Sequence, residues 1–286
     1  MLRHTTAVVA LVMAAQGATA GSLKSFDLPS HGAICGAAIA DDGAVVGNTT
    51  DLTNPVVNFV YQGGSFTLLS PVVPAGLVDV TGINRSHTIT GFDAVISNNF
   101  VISNTAFTLI GDSTSVLSIL GAPSVTAAGI NNAGVLVGSY QATAGSGPTL
   151  GFVKRGNHVT TLDDGSGDVL PAGIDPAGTH VVGSSLRDGT FSGWLYSGGQ
   201  FVPINFPGAI GTLVHGINRV GTISGTYFTG TASALVSHGL LDQNGVLTSY
   251  DVPGASSTEL TGINMHDEVT GCYTDTAGTH GLIYKP

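Results

Sequence analysis

The side chains of this sequence that could do chemistry are two cysteines, three clustered aspartates, a scatter of histidines and three tyrosines at one recurring position. Cys35 and Cys272 could pair as one disulfide, the ordinary use of two cysteines in an exported chain, or could stay as two buried thiols. No Cys-x-x-Cys or Cys-His spacing marks them as a redox or metal centre. Asp163, Asp164 and Asp168 crowd the loop DDGSGD. Three carboxylates on a glycine-rich loop could hold Ca²⁺, although the spacing is not that of an EF-hand and solvated turns account for them equally. Beyond the first twenty residues, histidines stand at 31, 87, 158, 180, 215, 238, 266 and 280, none of them in an H-E-x-x-H. His238 and His280 each precede a glycine at matching places in a repeat, which suits imidazoles bonded to a neighbouring turn. Serine, histidine and aspartate are all present, but no G-x-S-x-G elbow positions a nucleophile. Paired acids for glycan hydrolysis would have to be brought together by the fold. Tyr140, Tyr227 and Tyr273 each follow a repeated isoleucine by ten residues. They are the candidate ligand-binding residues: their rings could line one rim and stack on a sugar or a protein partner, or could wedge between neighbouring units and bond a loop.

The elements that would position these residues must be built from an unusual composition. Of 286 residues 42 are Gly, only 9% are charged and 42% are hydrophobic. Disordered chains are charge-rich and apolar-poor, so disorder is excluded. Eight basic residues against 18 acidic ones give a formal charge of −10, which excludes electrostatic binding of nucleic acid and favours basic or cation-bridged partners. Residues 1–20 read as a secretory signal peptide: Arg3 near the start, an apolar run from Thr5 to Ala15, and Ala18-Thr19-Ala20 as the cleavage site. The expected product is residues 21–286, one domain, secreted or periplasmic, monomeric, with no membrane span, because no later run of eighteen apolar residues occurs.

That domain is a sixfold repeat. GINNAGVLVG (129–138) is the clearest copy of a pattern in which a small residue, Ile, Asn or Asp, a turn, an apolar triplet and Gly succeed one another. The anchors are Ile39, Ile83, Ile130, Ile174, Ile217 and Ile263, spaced 44, 47, 44, 43 and 46 residues apart. Each unit carries four strand-like pieces separated by turn signals such as Asn-Gly and Pro-Gly. The second piece is apolar at consecutive positions, as in Val135-Leu136-Val137, and such a strand is buried on both faces. Four strands per forty-odd residues predict propeller blades. The sixth unit ends before its fourth strand, and residues 22–33 (SLKSFDLPSHGA) match 246–256 (VLTSYDVPGAS). The N-terminal strand therefore completes the last blade and closes the ring, which removes an open sheet edge. The expected fold is all-β, a six-bladed β-propeller, with a β-solenoid as the alternative. In the ring, Cys35 and Cys272 fall on one rim, across the closing seam.

The motifs GIN, V-V-G-x-Y, H-G-F/L and D-x-P-G-A, recurring in that order, resemble the HAF-type extracellular repeat proteins. The resemblance covers essentially residues 21–286 and is best over 216–255 and 262–284. Units one and two lack the His-Gly pair, and Ala40 replaces the first Asn. The resemblance implies an extracellular location and no particular reaction. The sequence thus points to an exported non-catalytic propeller that binds a protein partner or a carbohydrate, without a cofactor. The other readings are a secreted glycan hydrolase or lyase, favoured if charges converge at one tunnel mouth, and a structural surface or matrix protein.

Overall fold

A computed structural model describes residues 21–29, 31–50, 56–70, 77–97, 100–143, 147–165, 167–231 and 233–286. The sequence-predicted leader, 1–20, lies outside them. The described residues form six four-stranded antiparallel sheets, at 34–69, 77–116, 124–162, 168–204, 211–250 and 257–285, the last completed by the strand Ser22–Phe26. The first strand of each sheet is innermost, and these six strands touch one another in sequence order and close a circle. The protein is a six-bladed β-propeller, and the solenoid alternative is set aside.

Closure follows the expected register. Phe26 pairs with Gly281 in blade six as Tyr250 pairs with Gly239 in blade five. Phe26 is buried, stacked on Tyr61 of blade one at 4.4 Å and edge-on to Phe59. Each blade-to-blade interface carries its own apolar cluster, and the second strands supply the doubly buried residues, such as Val45, Val137, Val182 and Val269.

The repeated Gly-Ile-Asn motif has three jobs, one per residue. The glycine lies where adjacent inner strands meet: a Cβ on Gly129 would stand 2.5 Å from the Ala172 carbonyl oxygen, and one on Gly173 would stand 2.6 Å from that of His215. The isoleucines form an apolar ring within the channel. The asparagine is a clamp. Asn131 Oδ1 accepts from Ala133 N and Val135 N, capping its own hairpin, while Nδ2 donates to Asp175 O of the next blade at 3.0 Å. Asn84 repeats this toward Asn131 O, and Asn264 toward Ala40 O across the seam.

One feature of the inner strands has no counterpart in the sequence pattern. Every one of the six bulges at the residue just before the motif's first position, between Gly36 and Ala38 in blade one and between Val214 and Gly216 in blade five, for example. A bulge re-aims the extra side chain. Here the extra residues are Ala37, Thr81, Ala128, Ala172, His215 and Thr261, and all six line the channel.

Candidate binding face at the channel mouth

The cysteines form a disulfide between residues 237 apart, with Cα atoms at 4.8 Å. Cys272 occupies the second-strand position that faces the inner strand of the following blade. At the same position Asn48 bonds Val80 of blade two through both its amide atoms, and Ser184 Oγ accepts from Val214 N of blade five. The disulfide is thus the covalent form of a contact that other blades make by hydrogen bonds.

Each of the three tyrosines bonds the fourth strand of its own blade. Tyr140 and Tyr227 are buried. Their hydroxyls reach over the third strand to Thr161 Oγ1 (3.0 Å) and Ser249 Oγ (2.9 Å), and Tyr273 does the same with Ser25 Oγ (2.8 Å). The ring of Tyr227 is sandwiched between Phe206 at 3.8 Å and His238 at 4.9 Å. Stacked on both sides, it offers no open face to a sugar. Tyr273, half-buried, leans on His280 at 5.1 Å.

His238 and His280 belong to these same clusters. His238 Nδ1 meets Asp251 at 3.0 Å and Nε2 meets Thr229 Oγ1 at 2.9 Å. His280 meets Asp27 at 2.6 Å and Asp275 at 3.3 Å. Hydrogen bonding to Asp27 raises the His280 pKa, and burial opposes it. The S-[FY]-D triplets at 25–27 and 249–251 stand in step with the two His-Gly pairs, a signal that would have linked Tyr, His, Ser and Asp from sequence.

The aspartate loop disperses its carboxylates. Asp163 caps Gly165 N, Asp164 accepts from Ser185 Oγ of blade four, and Asp168 accepts from Thr149 N. Among the described residues no cluster of three or more His, Cys, Asp or Glu is placed to hold a metal ion.

Among the described residues, two unengaged ionisable side chains meet at one mouth of the channel. The two ends differ. At the hairpin end, Asn132 Nδ2 of blade three bonds Asp41 Oδ2 of blade one at 2.7 Å, Asn132 Oδ1 accepts from Arg85 N, and Asp41 Oδ1 accepts from Met265 N. These side chains bridge the opening, and the space beneath is about 70 Å³. The other end opens into a cavity of about 570 Å³ over blades one and two. Leu77, Val80, Phe92 and the bulged alanines form its apolar wall, and Asp79 and His215 supply its ionisable groups. Neither has a hydrogen-bond or ion-pair partner among the described residues. Blade five stands opposite blade two in a ring of six, so the two groups face the axis from opposite sides. Burial raises the Asp79 pKa and lowers that of His215 to about 4, so the imidazole is neutral at physiological pH. Thr81 and Thr261 also line this mouth, but their hydroxyls are spent on Ala127 O and Gly36 O. His215 and Asp79 carried no motif in the sequence. Only the bulge and the ring closure bring them to one cavity.

No known family model and no curated protein matches this chain. Solved structures do. The chain is similar to a putative TolB from Agrobacterium tumefaciens at 13% identity and TM-score 0.57, covering 88% of this chain and 90% of that one. It is similar to XC5397, a gluconolactonase from Xanthomonas campestris, at 11% and 0.54, covering 93% and 89%. It is similar to the Aleuria aurantia lectin in complex with α-methyl-L-fucoside at 11% and 0.53, covering 88% and 90%. At such identities these likenesses concern the propeller fold alone, a scaffold that carries binding and catalytic functions alike.

Proposed function

We propose that this protein is an exported, non-catalytic β-propeller that works as a binding module and presents its open channel mouth to a protein partner or a carbohydrate. The carrying observation is the asymmetry of the channel: one end is bridged by Asn132 and Asp41, and the other is a cavity of about 570 Å³ with apolar walls and two ionisable groups that have no partner among the described residues. Ligand sites have this composition, largely apolar with a few placed polar groups. Export is supported by the leader-like residues 1–20 and by the disulfide, which persists in oxidising compartments. The ordered GIN, H-G and D-x-P-G-A motifs support membership of the HAF-type extracellular repeat proteins.

A second reading has one observation in its favour. Asp79 and His215 converge at one mouth with pKa values displaced by burial, as acid and base groups of a glycan hydrolase or lyase would be.

The test is a thermal-shift screen of residues 21–286, oxidised, against oligosaccharides, polysaccharides and basic and acidic peptides, each with calcium and with chelator. A ligand at a hundred times its Kd stabilises the folded state by about 2.7 kcal/mol. A ligand-specific rise that is lost on blocking the cavity with Ala128→Trp supports the binding module. A rise accompanied by new reducing ends or unsaturated products supports the enzyme. No rise with any class, together with self-association, supports a structural protein instead.

A further inference from the structure

We propose that the open mouth is a socket for a primary ammonium on an aliphatic stem, the lysine side chain of a protein partner, with Asp79 receiving the ammonium and Leu77, Val80 and Phe92 the stem. This rests on the reading of the mouth as a binding face and names what that face takes.

Four observations converge. Asp79 is a half-buried carboxylate with no partner among the described residues, and among them no lysine or arginine lines the cavity. A carboxylate left in an apolar wall is costly until a cation joins it. The burial that raises its pKa is the same cost, and an arriving ammonium would relieve it. Second, the imidazole across the axis is neutral, so it offers an acceptor nitrogen to an ammonium rather than repelling it. Third, of the four threonine hydroxyls at the mouth, those of Thr81 and Thr261 already donate to backbone carbonyls and that of Thr49 accepts from Val57 N, which leaves chiefly the exposed Thr50 to read the hydroxyl pattern of a sugar. Fourth, the mouth narrows quickly. Below the bulged residues the glycine ring leaves about 80 Å³, room for water and the tip of a slender chain. A lysine has that shape, a compact point charge on four methylenes, whereas a guanidinium is a wide plane. The formal charge of −10 would steer a basic partner toward the protein.

The experiment titrates the intact oxidised protein with Nα-acetyl-lysine amide and follows the His215 ring protons by NMR. The same titration is run with the Nε-acetylated and the arginine counterparts. The lysine compound is expected to shift the His215 signals saturably. Nε-acetylation is expected to weaken binding at least tenfold, and raising salt should weaken it further. Asp79→Asn should abolish the shift without lowering the melting temperature, because an unpartnered carboxylate is being neutralised. Equal binding of the lysine and Nε-acetyl-lysine compounds overturns the proposal, and that comparison needs no variant. So does a large loss of melting temperature in Asp79→Asn, which would mean the carboxylate holds the fold. A partner or glycan whose binding is indifferent to Asp79→Asn overturns the socket but leaves the binding module standing.

Discussion

Replacing both cysteines by serine should cost this protein more stability than any other pair of conservative changes, and should leave its folded structure intact. The Cys35–Cys272 cross-link joins residues 237 apart. In the chain-entropy account, closing a loop of that length removes about 18 cal/mol/K from the unfolded chain, or about 5 kcal/mol at 25 °C. For a domain of this size that corresponds to a fall in Tm of about 10 °C. The native seam keeps its other fastenings. Thr261 Oγ1 donates to Gly36 O at 2.6 Å, Asn264 Nδ2 donates to Ala40 O at 3.1 Å, and Ser22–Phe26 remains paired to the last blade. The penalty therefore falls on the unfolded ensemble. The assay is guanidinium unfolding followed by the fluorescence of Trp194, the single tryptophan, buried in blade four well away from the seam. The oxidised protein and Cys35→Ser/Cys272→Ser should share one native spectrum, with the variant unfolding at a lower midpoint. A difference below about 1 kcal/mol would refute the reasoning, since it would mean the cross-link constrains little of the denatured chain. A variant with a non-native spectrum would refute it differently, by showing that the bond holds the ring shut.

Three further outcomes follow from the same geometry. Phe26→Ala empties a buried site against Tyr61 and Phe59 and should cost about 3–5 kcal/mol in thermal or denaturant unfolding, although the residue belongs to the terminal strand. Asn131→Ala removes a hairpin cap and a donor to the next blade, leaving buried backbone groups unpaired, and should cost about 3 kcal/mol by the same measurement. Stability against pH should be limited by two histidines of opposite sign. The raised pKa of His280 gives a contribution that is full below about 6.5 and lost as pH rises through its folded value. The lowered pKa of His215 makes stability fall as pH drops from about 6.5 toward 4, since only the unfolded chain takes up that proton. His280→Gln should flatten the alkaline limb of a Tm-against-pH profile, and His215→Gln the acid limb.

The ring was legible because repetition is legible. Six anchors at a near-constant period fix the blade count, and the match of 22–33 to 246–256 identifies the closing strand with its register. The disulfide followed once the ring placed Cys35 and Cys272 across one seam. The tyrosines show the limit. Their spacing marks a common position in each blade, but a rim position and an interblade position share one period. Only the coordinates show Tyr227 closed between Phe206 and His238. The mouth was illegible for a different reason. Asp79 and His215 sit inside strands as ordinary alternating residues, 136 positions apart in number, and their meeting depends on the bulge and on blades two and five facing each other across the axis.

In a repeat protein, equal positions face equal packing demands, so a position that breaks its own repeat points beyond packing. The six bulged residues at the channel are Ala, Thr, Ala, Ala, His and Thr in blade order. Five are small, as the crowded axis requires, and His215 alone is large and titratable. The residue two places earlier runs Cys35, Asp79, Thr126, Leu170, Leu213 and Glu259, and there Asp79 stands in the cavity wall with no partner among the described residues. Neither choice helps the ring close: a carboxylate in an apolar wall and an imidazole held neutral by burial both cost stability. The outer clusters behave in the opposite way. Tyr227, His238, Ser249 and Asp251 in blade five reappear as Tyr273, His280, Ser25 and Asp27 in blade six, satisfied by one another in both places. Repetition with full satisfaction is what a structural role looks like. Departure with unmet bonding capacity on an accessible wall is what a site looks like: the unpartnered carboxylate of Asp93 is sealed inside blade two, whereas among the described residues Asp79 and His215 bring theirs to an open channel mouth.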